Sequence, residues 1–234
     1  EFPESEFVGV DLSPVQVGIG EKAVSALGLN NIEIKTQNIM DIGDSDGTFD
    51  YIIAHGVYSW VTDEVRKKIL QICKKNLSYQ GIAYISYNVV PGWQFNQFMR
   101  DMILFHTRSI TDPRQCTDAA IDLIKTMAQG ATDRNSVHDV QLRFFIKTMQ
   151  QVPDLHSYLL HEYLETVNLP FYFHQFASEL KNFGLQYICD AEQADFELDR
   201  LPRETAAKFE EISEDPLEIE QYIDFFTNAR FRRS

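Results

Sequence analysis

The chain has 234 residues, of which 44% are hydrophobic, so it can bury a core in one domain or in a domain with an insertion. Its formal net charge of −14 disfavours nucleic acid as a partner and favours a basic peptide or an amine, although acidity that only maintains solubility fits equally. No apolar run is long enough to span a bilayer, so we expect no membrane insertion. Three widely spaced cysteines, Cys73, Cys116 and Cys189, indicate reduced thiols and a cytoplasmic protein.

An apolar segment, Phe7–Val10, ends on Asp11 and turns at once into a predicted helix. Ser13, Pro14 and Gln16 fit the N-cap, the first helical position and the third position of a capping box. An acid at the carboxyl end of a parallel strand can bind the two hydroxyls of a ribose. We interpret Asp11 as such a residue, in preference to a helix cap, because Ser13 already fills the cap.

Gly18, Gly20 and Ala23 match the dinucleotide-binding spacing G-x-G-x-x-A. That motif needs a strand directly before it, and the helix that begins at Pro14 leaves no room for one. We therefore predict that both glycines lie on the surface of a helix that Gly28 ends.

Strand and helix patterns alternate in the next segments. Strands are predicted at 31–36, from alternating polarity, at 49–54, from an apolar run expected to be buried on both faces, and at 82–87. Thr62 or Asp63 caps a helix between the last two. This alternation predicts a parallel sheet covered by helices.

Helical periods replace this pattern beyond Pro91, with starts at Asp112 and Ser136 and a third helix around Leu155. A helix over 173–183 and a strand over 185–189 then restore the α/β pattern. Asp215, Pro216 and Glu218 mark the start of a last helix.

Polar and aromatic residues follow the predicted strands. Asn38 and Ile39 would lie on the same sheet edge as Asp11, where they could contact an adenine, with an ordinary loop as an equal alternative. The segments 55–60 and 87–93 each combine a glycine, which lets the backbone approach a ligand, with aromatic side chains that can line a pocket. Aromatic packing at the end of a sheet explains these two segments equally well.

His156, His161, Glu162 and Glu165 follow the order H-x4-H-E-x2-E. This is not the zinc-binding order H-E-x-x-H, and the two histidines do not share a helical face as an i, i+4 pair does. A structural or substrate-pocket role is therefore predicted for His161 and Glu162, and no metal is expected. Hydrolysis also lacks support, because no Ser-His-Asp or Cys-His set has a supporting context.

These segments resemble a known family. The core of class I S-adenosylmethionine-dependent methyltransferases, after its first glycine-rich motif, is similar to Phe7–Ser13, Asn38–Ile39, Phe49–Trp60 and Gly81–Trp93. The methyltransferase regulatory domain family, which includes bacterial protein-lysine methyltransferases, is similar to Pro91–His106, His161–Glu165 and Asp224–Arg232. The likeness covers nearly the whole chain.

The resemblance implies a Rossmann-like α/β fold, with a parallel sheet of the class I methyltransferase type that lacks its first strand and carries a helical insertion. It divides the chain into a partial methyltransferase core (1–93), a helical lid or regulatory insertion (94–169) and a C-terminally truncated return to the core sheet (170–234). It also implies S-adenosyl-L-methionine as cofactor and N-methylation of a protein lysine or another amine. Because the glycine-rich motif is absent, a non-catalytic regulatory or interaction module with this fold is the alternative.

The resemblance further implies roles for individual residues. Cofactor binding would involve Asp11 at the ribose, Leu12, Asn38 and Ile39 around the adenine, and His55 and Gly56 on the methionine side. The acceptor would meet Trp60, Asn88 and Trp93. An amine must lose its proton before it is methylated, and the candidates for the base are Tyr58, His161 and Glu162, among which the sequence does not choose.

Overall fold

The computed structural model describes residues 2–130, 136–191 and 201–234. The strands are β1 (Phe7–Asp11), β2 (Ile32–Thr36), β3 (Phe49–Ala54), β4 (Leu77–Asn88) and β5 (Phe231–Arg233). The helices are α1 (Pro14–Ala26), α2 (Asp63–Asn76), α3 (Gln94–Thr107), α4 (Pro113–Gly130), α5 (Val137–Gln150), α6 (Leu155–Leu159), α7 (Phe173–Asn182), α8 (Arg203–Ile212) and α9 (Pro216–Thr227). The predicted α/β fold with parallel strands, helical cover and a helical insertion is confirmed.

Two compact units divide the chain. The first comprises Glu1–Ser86, Ala177–Glu192 and Arg233–Ser234, and the second comprises Tyr87–Phe176 and Gln193–Arg232. The three-part division predicted at 93/94 and 169/170 stays a prediction. None of the helices in the described ranges is long and apolar enough to cross a membrane.

In the first unit, β1 and β2 form a two-stranded parallel sheet with α1 between them in sequence. Ser13 is the N-cap of α1 and its Oγ accepts a hydrogen bond from Gln16 N, as the capping pattern predicts. Gly20 lies on α1, where an added Cβ would come within 2.7 Å of Ile34 Cδ1 of β2. The glycines of the G-x-G spacing therefore belong to a helix, and Gly20 lets that helix approach the sheet.

β3 and β4 also pair in parallel, and the strand order of their sheet is β3-β4-β5. β4 begins at Leu77, five residues before the predicted strand over 82–87, so the predicted start of that strand is wrong. The register shifts between Phe49 and Tyr51, and a Cβ at Gly81 would lie 3.0 Å from Phe49 O. Gly81 thus marks an irregularity inside a strand, where the partner backbone approaches closely.

The expectation that β3 is buried on both faces is wrong. Tyr51 and Ile53 are 70% and 71% exposed, whereas Ile52 and Ala54 are half-buried. Helix α2 packs against β3. An apolar run does not reveal how many faces of a strand are covered, and here the burial alternates along the strand.

The strand predicted at 185–189 does not form, although Gly184, with a φ of +70°, follows α7 as expected. β4 pairs with β3 on one side. On the other side Ile85 exchanges two backbone hydrogen bonds with Ser234, at 2.7 and 3.0 Å. Both edges of β4 are therefore occupied, and the segment 185–189 has no edge of that strand to join.

In the second unit, the helices enclose a core of apolar side chains: Met99, Ile103, Ala120, Ile124, Leu142, Phe145, Met149, Leu159 and Tyr163. The predicted starts of α4, α5 and α9 are confirmed, with Ser136 and Asp215 as N-caps of the last two. Helix α8 had no counterpart in the sequence prediction.

The loop after β4 packs against the segment that follows α9. Gly92 N donates to Ala229 O and Val89 N donates to Arg230 O, both at 2.9 Å. A Cβ at Gly92 would lie 2.5 Å from Ala229 O and closer still to Asn228 O, so only glycine fits there. Asn228 itself has a left-handed φ of 54° and ends α9.

Candidate functional site

The carboxyl ends of β1 and β2 lie side by side. Asp11 pairs with Thr36 in the parallel register, and Gln37 N donates to Asp11 O at 3.0 Å. Asn38 follows two residues after Thr36. The predicted juxtaposition of Asp11 with the segment Asn38–Ile39 is therefore present in the first unit.

Asp11 is exposed at this edge. Its Oδ1 accepts a hydrogen bond from Ser13 N at 2.7 Å, and its other carboxylate oxygen has no donor among the described residues. An open groove of about 550 Å³ runs along β1, with Asp11 and Gln16 among the residues that line it. A carboxylate with a free acceptor beside a groove fits the hydroxyls of a ribose.

Asn38 is the N-cap of a 3₁₀ turn, Ile39–Asp41, and its Oδ1 accepts from Met40 N at 3.0 Å. Its side-chain NH₂ group has no acceptor among the described residues, so it can donate to a ligand. Ile39 is half-buried, and Leu12 is 69% exposed. An apolar surface and a free amide donor suit an adenine, as the resemblance implies.

The backbone after β3 is held by side chains of β4. Gly56 has a left-handed φ of +68°, and its N–H donates to Ser86 Oγ at 2.8 Å. His55 Nδ1 lies 3.0 Å from Tyr84 OH. Both His55 and Gly56 are exposed, so they remain accessible to a ligand while β4 fixes their positions.

Tyr58 and Trp60 lie on the 3₁₀ turn that follows. The Tyr58 ring is completely buried, and its hydroxyl donates to Glu179 Oε2 at 2.8 Å. Trp60 is half-buried. The Tyr58 hydroxyl is therefore already bonded to Glu179, a geometry that does not favour catalysis. The catalytic role of Tyr58 stays a prediction.

Asn88, predicted to meet the acceptor, is buried at the end of β4, where its Nδ2 donates to Asn168 Oδ1 at 2.9 Å. Asn168 Nδ2 in turn donates to the backbone carbonyl of Glu162 at 3.3 Å. Trp93 begins the segment that leads into α3, and it is 8% exposed with no hydrogen-bond partner for its Nε1 among the described residues. The second unit thus links Asn88 to the segment that carries His161 and Glu162.

His161 and Glu162 lie in a π-helical turn, Leu160–Leu164, which continues α6. Such turns are rare and frequent at functional sites. His161 is exposed and Glu162 is half-buried. Burial raises the pKa of the Glu162 carboxyl above its ordinary value, and the neighbouring His161 partly offsets that rise. Burial also raises the pKa of the phenols of Tyr158 and Tyr163, which therefore stay protonated.

The four residues considered for a metal do not form a site. His156 Nδ1 lies 2.7 Å from Thr117 Oγ1. Within the described ranges, no group of three or more His, Cys, Asp or Glu residues is arranged to hold a metal ion.

Two family models match separate ranges of the chain. A family model described as "Methyltransferase domain" matches residues 1–81, and one described as "Predicted methyltransferase regulatory domain" matches residues 156–234. The uncharacterized protein RP028 of Rickettsia prowazekii is 40% identical over 175 residues, which cover 75% of this chain and 69% of that protein. The chain belongs to the methyltransferase family that carries this regulatory domain. S-Adenosylmethionine is the cofactor of that family, as the resemblance implied.

Longer proteins are also similar to this chain. The uncharacterized protein RP789 of Rickettsia prowazekii is 41% identical over 231 residues, which cover 99% of the chain and 41% of that protein. PKMT2 from Rickettsia typhi has been solved in complex with AdoHcy; it is 38% identical with a TM-score of 0.84, over 99% of this chain and 44% of that one. A second structure of PKMT2 gives 37% identity and a TM-score of 0.82. The chain thus spans less than half the length of RP789 and PKMT2.

Sequence reasoning missed the partners that hold the candidate residues of this chain in place. Glu179 and Tyr84, which bind Tyr58 and His55, are 121 and 29 residues away from them in sequence. Asn168 is 80 residues from Asn88. No local spacing signals such pairs, because only packing brings them together.

Proposed function

We propose that this chain is part of an S-adenosylmethionine-dependent N-methyltransferase whose acceptor is the side-chain amine of a protein lysine. The observation that carries the proposal is the likeness, over 99% of the chain, to PKMT2 in complex with AdoHcy. AdoHcy is what remains of S-adenosylmethionine after the methyl group has left. The exposed carboxylate at the end of β1 supports the same conclusion, because its position suits the ribose of that cofactor.

The first unit would hold the cofactor through the carboxyl ends of its strands. Asp11 would accept hydrogen bonds from the ribose with its free oxygen, and Asn38 would donate to the adenine. Ile39 and Leu12 would supply apolar contact for the ring. The exposed backbone at His55 and Gly56 would line the methionine side, with its path fixed by Ser86.

The acceptor amine must arrive without its proton. When bound, S-adenosylmethionine supplies a methyl group that its sulfonium already activates. With a pKa near 10.4, roughly one lysine amine in 2,500 is neutral at pH 7, so a base that removes the proton contributes directly to the rate. In the transfer the new N–C bond forms as the S–C bond breaks, and the proton must already have left the nitrogen.

Glu162 has the most suitable chemistry of the three candidate bases. Its carboxyl is half-buried with a raised pKa, which brings its basicity closer to that of a general base at neutral pH. Tyr58 is buried and bonded to Glu179, and His161 is exposed. Glu162 would therefore take the ammonium proton, and Asn88 and Trp93 would contact the acceptor chain.

The charge of the chain supports a basic acceptor. A net charge of −14 attracts lysine-rich segments and repels nucleic acid.

Titration of S-adenosylmethionine into the full-length gene product by calorimetry tests the cofactor site, with Asp11→Asn as the variant. The amide keeps the acceptor for Ser13 N and removes the charge that the ribose would meet, so the affinity should fall about tenfold or more. Asp50→Asn is the matched control, because Asp50 lies on β3 and its Oδ1 binds Ser78. Equal affinities for the wild type and Asp11→Asn would remove Asp11 from the cofactor site.

Transfer of labelled methyl to poly-L-lysine by the same protein tests the reaction. Glu162→Gln should slow the transfer at least tenfold and leave cofactor affinity unchanged, because the amide cannot take a proton. Absence of both cofactor binding and transfer would favour the non-catalytic module.

A further inference from the structure

The π-helical turn Leu160–Leu164 ends at a residue with extended backbone, since Glu165 has a ψ of 145°. The last carbonyls of any helix lack donors within the helix. Here two buried side chains from outside the turn supply them. Asn168 Nδ2 donates to Glu162 O at 3.3 Å, and Arg100 Nη2 donates to Glu165 O. Asn168 and Arg100 are each 4% exposed.

Asn168 also connects the turn to the sheet. Its Oδ1 accepts from Asn88 Nδ2 at 2.9 Å, so one buried amide joins the last residue of β4 to the backbone of Glu162. Two backbone hydrogen bonds fix the neighbouring residues at that strand end: Phe171 N donates to Asn88 O, and Val90 N donates to Phe171 O, each at 2.9 Å. The Asn168 side chain is thus held from both sides, and it uses its donor and its acceptor together.

We propose that Asn168 is a positioning residue for the Glu162 carboxyl. Its side chain binds the backbone carbonyl of Glu162 and is itself bound by Asn88, so it holds the backbone of Glu162 in place. The proposal rests on the proposed function in so far as Glu162 serves as the base. A base must lie within hydrogen-bond distance of the proton it removes, so a small displacement of its backbone is costly. Asn168 is assigned no contact with cofactor or acceptor.

Several charged or titratable groups lie near the turn, and of these His161 acts directly on the titration of Glu162. His161 lies on the turn itself, and Tyr158, on α6, and Tyr163 interact with the Glu162 charge. Arg230 interacts with both tyrosines, and Arg100 approaches from α3. These groups stay unchanged when Asn168 is replaced, so a change in the titration reports the backbone of Glu162.

The test measures the ¹³C chemical shift of the Glu162 carboxyl carbon as a function of pH, in full-length protein labelled at glutamate Cδ. The signal that is missing from the Glu162→Gln spectrum identifies Glu162. In Asn168→Ala the turn loses one carbonyl partner and its anchor on Asn88, so Glu162 becomes more hydrated. Its titration midpoint should fall toward the ordinary glutamate value. Asn76→Ala is the matched control, because Asn76 is equally buried and its Nδ2 also donates to backbone carbonyls, those of Gly43 and Gly47.

An unchanged midpoint in Asn168→Ala, or an equal shift in Asn76→Ala, would overturn the positioning role. Activity toward poly-L-lysine separates this proposal from the proposed function. Asn168→Ala should lower kcat about tenfold in the wild type and have no further effect in the Glu162→Gln background. A shifted midpoint together with full activity of Glu162→Gln would uphold the positioning of Glu162 and refute its role as the base.

Discussion

Replacing Arg232 with methionine would test how the C-terminal segment is held in the second unit. The Arg232 side chain is 2% exposed, and its Nε donates to both carboxylate oxygens of Asp224, at 3.0 and 3.1 Å. Its Nη2 lies 2.8 Å from Glu220 Oε2, and its guanidinium carbon lies 4.3 Å from the centre of the Phe173 ring. One cation thus neutralises Asp224, which is 1% exposed, and partly neutralises Glu220.

The expected cost follows from the unequal exposure of the two acids. Arg232→Met removes the guanidinium from the buried Asp224 carboxylate, and breaking a buried ion pair in this way costs about 3–5 kcal/mol of the free energy of unfolding. Glu220 is 19% exposed and can turn to water, so it adds little. Asp224→Leu combined with Arg232→Met removes both buried charges, and most of the lost stability should return.

Urea denaturation followed by circular dichroism measures both variants against the wild type. A loss of 3–5 kcal/mol is a large share of the roughly 5–15 kcal/mol that stabilises a domain, so the single variant should unfold at a much lower urea concentration. A single variant that loses less than about 1 kcal/mol would refute this account. So would a double variant that is less stable than the single one, because the cost would then not arise from an unpaired buried charge.

Two further predictions concern the loop after β4 and the candidate base. Gly92→Ala should lower the free energy of unfolding, measured by urea denaturation, by about 1–3 kcal/mol or more, because its Cβ would overlap the carbonyl of Ala229. Gly18 has open space around it, so Gly18→Ala should be neutral or stabilising. Equal losses in the two variants would contradict this explanation. Because burial raises the pKa of Glu162, protonation of this carboxyl stabilises the folded state at low pH. That stabilisation is lost as the pH rises through the raised pKa of the folded state. Glu162→Gln should therefore raise the Tm relative to the wild type near about pH 7 but not below about pH 4, and an equal difference at both would contradict the raised pKa.

Much of the local structure of the chain could be predicted from short segments. Ser13 and Asp215 begin helices because their side chains accept the first free backbone N–H groups, which depends on residues two or three positions away. Gly28 and Gly184 follow helices because they tolerate positive φ. The parallel register that puts Asp11 beside the segment after Thr36 also follows from the alternation of strand and helix.

Burial and strand pairing could not be predicted in the same way. The apolar run of β3 does not show that Tyr51 and Ile53 are exposed, because exposure depends on what packs against the strand. The segment 185–189 has the composition of a strand, yet Ser234 already pairs with Ile85 on β4. A strand needs a free partner edge as well as a suitable sequence.

The sequence by itself determined where helices α1, α4, α5 and α9 begin, which strand ends carry Asp11, Asn38 and His55, and to which family the chain belongs. Only the tertiary structure decided that Tyr58 is bonded to Glu179 and that Asn168 joins Asn88 to Glu162. The physical reason is distance along the chain. A cap or a turn is set by hydrogen bonds within a few residues, whereas these contacts join residues that only the packing of the core brings together.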